Sequence, residues 1–532
     1  MKIAVPTSMP IIKSRIASTE HLLLFFLCSF TFLIYIRGIN SQFVAEDFIF
    51  LQIISNPFGE VWRIIQESSR MWPVAIIYRW LIYQLSGMTP YGYHLASIVL
   101  HLINVVLVFH FVKRISSKSQ LGLVAALIFA LYPRHHQPVL WMSASHFMLA
   151  SLFVLICLNT YLRFLETGRI SWYIWSMIAL LMALFSQEGS VILLPILIFL
   201  ELFMYFREKP FSRQVLAKIQ WMPLIIRSIP ILLIFVFFAF LTFGGNRLYK
   251  LTGIQLSSLG ELNAAGFTIG DAYTLSIGSD SIREIASYVV YSVYPHIPLR
   301  ALDPTVFTII LTILTIFFLT VAFIKGPGII RLSLACLFVS ILPYVFFTPF
   351  GNADRYFYFI SVSVSILAAF YLIKLSDIIH NRIPSLKIAI LTPLLAIFIL
   401  ISALMINQRI NEWQAAGRIA EDILEEAVAI IPNPEAGSTI VYVGLPQQYG
   451  QAYLFMSAFS TAVQMKYGPG VDDVKFFQTH DQNAIDYLRD ASPVQNPVKN
   501  IHVLLYEDGH LYDKSDSVAD LDDIIPGSFF QW

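Results

Sequence analysis

The sequence predicts an all-α polytopic membrane bundle of about eleven transmembrane helices, followed by a small extracytoplasmic α/β domain. Three observations carry this. Of the 532 residues, 57% are hydrophobic and only 13% charged, with a mean hydropathy of +0.68, values that a soluble chain of this size does not show. Apolar runs of roughly 20 residues, the length that crosses a bilayer, recur as far as residue 406. After that point the composition turns polar.

The apolar runs lie at 20–38, 92–112, 120–137, 139–160, 172–187, 189–206, 222–243, 304–324, 331–349, 355–374 and 387–406. Two further stretches, 71–87 and 284–299, are short and interrupted by Arg79, Pro295 and His296, so they read as either spans or interfacial helices, and the loop charges decide. With both kept out of the span count, the basic segments around Lys113, Arg163, Arg207, Lys325 and Lys374 fall on the side of the basic N-terminus. That is the positive-inside arrangement, with the N-terminus cytoplasmic and the C-terminus outside. The expected organisation is a cytoplasmic 1–19, a transmembrane 20–406 with outer loops 39–91 and 244–303 carrying interfacial helices, and an outer domain 407–532.

The run 21–36 behind Lys2, Lys13 and Arg15 resembles a signal peptide but is followed by no small-residue cleavage site, so it reads as a retained anchor. No Asn-x-Ser/Thr acceptor occurs, which favours a prokaryotic plasma membrane. Cys28, Cys157 and Cys336 sit inside apolar segments as small hydrophobes, and no Cys/His spacing of a metal site exists. A net charge of +1 argues neither for nucleic acid nor for an acidic partner, and no nucleic-acid partner is expected. In the outer domain, 409–430 reads as an amphipathic helix, 439–443 and 501–506 as strands, and 452–467 as a helix.

The predicted topology gathers the chemistry-bearing segments at one mouth. Glu46 and Asp47 follow the first span in Asn40-Ser-Gln-Phe-Val-Ala-Glu-Asp-Phe-Ile49. Adjacent carboxylates at the membrane edge are either a solvated helix end or a general base toward an acceptor hydroxyl, one of them free to bind a cation or orient the other. Arg355, in Ala353-Asp-Arg-Tyr-Phe-Tyr358, either pairs with Asp354 or clamps a phosphate. His135 and His136 lie in a proline-flanked turn at the same mouth, while His94 and His101 share one helix face and read first as packing residues. Glu188 reads first as a helix cap.

In order, the acidic pair, Tyr93-His94…His101-Leu-Ile-Asn104, Ala130-Leu-Tyr-Pro-Arg-His135…Val139-Leu-Trp141, Ser186-Gln-Glu188…Pro195 and Asp354-Arg-Tyr-Phe-Tyr358 resemble the GT-C superfamily of integral-membrane glycosyltransferases. The likeness is to the protein O-mannosyltransferase-like, family 39-like branch, including its transmembrane members with tetratricopeptide repeats, and it covers residues 20–406. It implies inverting transfer of mannose or a similar hexose from a polyprenyl- or dolichyl-phosphate donor to an acceptor hydroxyl of a protein, lipid or glycan outside the membrane. A divalent cation is a possible companion, and no metal ligand is assigned.

Carried over by position, Glu46 and Asp47 are the base candidates, Arg355 the phosphate candidate and His135 the matching histidine; Arg70 and Arg79 are further candidates for the lipid phosphate, and His136, His94, Glu188 and Tyr356 for the donor and acceptor site. The chain departs from the family where Glu leads the acidic pair. It also reads Arg70-Met-Trp-Pro73 for an Arg-Pro pair, Gln187 for a lysine and Gln137 for a glutamate, and its outer domain is no tetratricopeptide array. Two other readings remain: a lipid-linked sugar flippase, which predicts broken helices with polar midplanes and related halves, and a non-catalytic scaffold with an outer binding domain.

Overall fold

Long apolar stretches satisfy their backbone hydrogen bonds internally by coiling into helices, since lipid offers no partners. The computed structural model describes residues 9–67, 72–206, 221–241, 279–297, 306–346, 353–382, 387–468, 470–471, 473–478 and 501–515. The helices are α1 (Met9–Tyr35), α2 (Asp47–Ile54), α3 (Phe58–Glu67), α4 (Pro73–Ser86), α5 (Pro90–Ser116), α6 (Ser119–Ala130), α7 (His136–Leu140), α8 (Ser145–Thr167) and α9 (Ile170–Ser186). They continue as α10 (Leu193–Phe206), α11 (Trp221–Ala239), α12 (Ser279–Val293), α13 (Val306–Lys325), α14 (Gly328–Phe346), α15 (Phe357–Arg382), α16 (Lys387–Ile430) and α17 (Phe459–Tyr467).

Among the described residues nine helical segments are long and apolar enough to cross a membrane, so the chain is an integral multi-pass membrane protein. α6 and α9, both apolar, are shorter. The run expected as one span at 120–137 breaks after Ala130, because Pro133 opens a separate turn, Pro133–His135. At about 1.5 Å per residue, α6 by itself spans only about 18 Å. The interfacial stretches appear as α4 and α12, neither of them among the spans.

α5, α6, α8 and α15 form the buried centre, with Ile98, Val105, Val108, Ala125, Phe129, Leu155, Leu158, Phe357 and Ile360 in one continuous core. α8 and α9 turn on Gly168, whose φ of +67° is the left-handed cap that ends α8. α11 and α13 leave Leu233, Phe237, Ile313 and Phe318 exposed, as lipid-facing helices do.

The last span does not stop at the polar switch. α16 runs unbroken from Lys387 to Ile430, so the amphipathic stretch 409–430 is its C-terminal half. Beyond it, β1 (Thr439–Val443), β4 (Lys475–Gln478), β5 (Ile501–Glu507) and β6 (His510–Asp513) form a sheet of order β4-β1-β5-β6. β1 runs parallel to β4 and β5, with Thr439 opposite Lys475 and Ile501, and β6 is antiparallel to β5. A separate hairpin pairs β2 (Gln448–Tyr449) with β3 (Ala452–Tyr453). The helix expected at 452–467 begins only at Phe459, after β3 and a turn at Met456–Ala458.

Candidate active site

The acidic pair is presented by a strained turn. Ala45, fully buried, takes φ +48°, a left-handed conformation that disfavours a Cβ. Its N–H donates to the Leu454 carbonyl of the C-terminal domain at 2.5 Å, and Phe48 stacks on Phe455. At Gly417 of α16 a Cβ would stand 2.9 Å from the Gln42 side chain, so glycine is what lets the helix close on this loop.

Asp47 opens α2 and is completely buried. Its Oδ2 accepts from Val44 N at 3.2 Å, and its Oδ1 accepts from both Ser143 N, at 2.8 Å, and Ser143 Oγ. Burial pushes its carboxyl up to about 7; the Ser143 and Val44 bonds resist that rise and the Glu46 charge adds to it. Glu46 stays partly exposed.

Arg79 lies buried beside this carboxylate rather than at a surface. Its Nη2 donates to Ser143 O at 2.6 Å, its guanidinium stands over the Phe50 ring at 4.1 Å, and burial brings its pKa down to about 10. His146 Nδ1 donates to the same Ser143 carbonyl at 2.7 Å, and its ring stacks on Trp72. Trp72 Nε1 in turn donates to Glu188. Glu188 therefore joins the site wall through an indole. Arg70 lies outside the described residues.

The second half of the site is the turn Asp354–Tyr356 at the head of α15. Asp354 does not pair with its neighbour Arg355. Arg134 Nη1 donates to Asp354 Oδ1 at 2.6 Å, and His136 Nε2 to Asp354 Oδ2 at 2.7 Å. Arg134 also donates to the carbonyls of Tyr291 and Ile297, and His136 Nδ1 accepts from Trp413 Nε1 at 3.0 Å. Gln137 Oε1 accepts from Arg355 N. Arg355 itself, partly exposed, reaches Tyr356 OH with Nη2 and lies 5.4 Å from the Trp141 ring centre. It interacts electrostatically with Glu46 and Tyr453. Tyr356 stacks on Tyr344 and meets Phe147 edge-on. Behind these rings lies a crevice of about 290 Å³ lined by Phe147, Gln187, Ser190, Tyr344 and Tyr358.

The histidines divide. His135 is in the core, not at the mouth: its Nε2 meets Ser361 Oγ at 2.8 Å, and Phe129, Tyr132, Tyr358 and His101 surround its ring. His94 is buried on α5 against the Ser41 backbone. His101 donates from Nε2 to Ala130 O and accepts at Nδ1 from Tyr358 OH, a packing histidine with both nitrogens occupied. Sequence reasoning did not single out Ser143, Arg134 or Trp413. Among the described residues no group of three or more His, Cys, Asp or Glu side chains is placed to hold a metal ion.

No family model matches the chain. Over 175 residues, 30% of this chain and 20% of the relative, it is 26% identical to the protein O-mannosyl-transferase Tmtc1 of Drosophila melanogaster. The match thus spans a fifth of that relative's length. Among solved structures, ArnT from Cupriavidus metallidurans bound to undecaprenyl phosphate aligns with a TM-score of 0.48 at 12% identity, over 92% of this chain and 94% of that one. The Archaeoglobus fulgidus oligosaccharyltransferase, tethered to an acceptor peptide containing the NVT sequon, aligns at 0.45 and 9% identity, over 86% and 63%. In sequence, then, the chain is similar to a protein O-mannosyl-transferase, the kind of protein its ordered motifs resemble.

Proposed function

We propose that the protein is an inverting membrane glycosyltransferase that moves a sugar from a polyprenyl- or dolichyl-phosphate donor to an acceptor hydroxyl on the extracytoplasmic face. The observation that carries this reading is the meeting of two uncommon groups at one mouth: an acidic pair on a strained, buried turn, and an arginine free of its neighbouring aspartate. Mannose, or a similar hexose, is the sugar that the resemblance favours.

Glu46, the partly exposed member of the pair, is the one able to touch an acceptor, because a general base must reach the proton it removes. It takes that proton as the hydroxyl oxygen bonds to the anomeric carbon. The bond from that carbon to the phosphate oxygen breaks, and its electron pair leaves with the lipid phosphate. Arg355 faces the charge gathering there. Asp47 anchors the turn, and its own negative charge strengthens Glu46 as a base. Arg79, sealed under Phe50, supports Asp47 through Ser143 rather than meeting the lipid. A prokaryotic plasma membrane with the N-terminus inside agrees with the loop charges.

The test is transfer by purified protein from a labelled polyprenyl-phosphate sugar. Glu46→Gln combined with Asp47→Asn abolishes it under this reading, and retained turnover would sink the assignment.

A further inference from the structure

Two buried hydrogen-bond donors at this corner have no partner among the described residues: Arg355 Nη1 and Trp141 Nε1. They belong to side chains in contact, the guanidinium carbon lying 5.4 Å from the Trp141 ring centre. Buried N–H groups without a protein acceptor are uncommon in folded proteins, and two side by side suit an anionic ligand. The nearest acid in sequence cannot supply it, since both oxygens of Asp354 are taken by Arg134 and His136.

A third polar group comes from the outer domain. Tyr453, at the end of β3, packs on Trp141 with ring centres 5.4 Å apart and interacts electrostatically with Arg355. The next residue, Leu454, holds Ala45 in its left-handed turn. One short segment of the outer domain thus touches both halves of the site.

We propose that Trp141 and Tyr453 stand with Arg355 as the donor set of a phosphate-monoester site, so that the outer domain supplies part of the wall that holds the departing lipid phosphate. The identity of the anion rests on the transferase reading above. A cation with two neutral N–H or O–H donors suits a monoester, which carries more charge than the sugar-bearing diester it leaves. Donors with no acceptor among the described side chains therefore act more strongly on the departing group than on the bound donor.

The experiment measures binding of radiolabelled undecaprenyl phosphate to the purified full chain in lipid nanodiscs, with unlabelled undecaprenyl phosphate or inorganic phosphate as competitor. Trp141→Phe keeps the ring and removes the N–H; Tyr453→Phe removes only a hydroxyl. Each weakens binding, by about 10-fold for Trp141→Phe and several-fold for Tyr453→Phe, as loss of a hydrogen bond to a charged group does. In turnover both lower kcat more than they raise KM. Competition by inorganic phosphate assigns the corner to the phosphate alone, and competition by the lipid form only assigns it to the lipid headgroup; both support the site. Should Trp141→Phe fail to fold, the partly exposed Tyr453 carries the test. Wild-type affinity in the variants overturns this inference while leaving the transferase reading intact. A wild-type protein that binds no polyprenyl phosphate overturns the reading beneath it.

Discussion

Asp47 and Ser143, 96 residues apart in the chain, are joined twice at one carboxylate oxygen, by the serine N–H at 2.8 Å and by its hydroxyl. These bonds pin the acidic turn before α2 to the Met142–Ala144 turn that leads into α8. Both donations favour the ionised carboxylate, yet burial outweighs them and holds the group near 7. Below that pH Asp47 is neutral, and above it Asp47 is a second negative charge beside Glu46. Transfer therefore rises as pH passes upward through about 7. Ser143→Ala removes one bond to the ionised form, so the carboxyl pKa moves up and the rising limb shifts to alkaline pH. A pH–rate profile checks this: the variant is slower at neutral pH and approaches wild type above the shifted limb.

The two carboxylates have separable effects. Glu46→Gln removes the group that reaches the acceptor, and loss of a positioned base typically lowers the rate by about 10²–10⁴-fold. Asp47→Asn leaves Glu46 in place and removes only its neighbour's charge, so the loss is smaller, about 10-fold, and the rise near pH 7 flattens. Single-turnover rates with a labelled donor decide between them. If Asp47→Asn proves the more damaging, the base role passes to Asp47.

Asp354 sits between two cationic or proton-donating partners, Arg134 and His136, all three nearly or fully buried. Removing the acid leaves a guanidinium without compensation in a dry setting. Asp354→Asn accordingly destabilises the protein by about 3–5 kcal/mol. Arg134→Met in the same chain recovers part of that loss, because no buried charge then remains uncompensated. Thermal melting of the two single variants and the double variant gives the coupling energy.

The legible part of the fold was the part governed by one-dimensional patterns. A spanning helix is announced by about 20 apolar residues, and the two main strands of the C-terminal domain by β-branched runs, whereas boundaries depend on local breakers. Pro133 ends α6 early, and no breaker stands between Ile406 and Arg409, so α16 continues through a change from apolar to polar that composition alone marks as a boundary. In the site, Glu46 and Asp47 stood out because charge at a membrane edge is unfavourable. Ser143 carried no such signal: a serine in Met-Ser-Ala-Ser has neither charge nor period, and its role comes entirely from a partner far away in sequence. His135 and His136 are adjacent and chemically equal as letters, yet one packs against Phe129 and the other bonds Asp354. Only the direction of each side chain separates them.

Ala45 offers a test of how tightly the C-terminal domain holds the acidic turn. Its φ of +48° is tolerable for alanine, natural for glycine and a severe outlier for a β-branched residue. Ala45→Gly therefore keeps the turn, with a stability change within about 1 kcal/mol because relief of strain offsets added chain entropy. Ala45→Val cannot hold that conformation in a fully buried position. The backbone must rotate, the N–H leaves the Leu454 carbonyl, and Glu46 and Asp47 turn away with it. The valine variant loses transfer by more than 10-fold and exchanges the Ala45 amide hydrogen faster, since local opening sets exchange protection. The glycine variant does neither. Transfer rates together with hydrogen exchange at the 44–48 turn separate this outcome from a general loss of stability, which would raise exchange across the core helices as well.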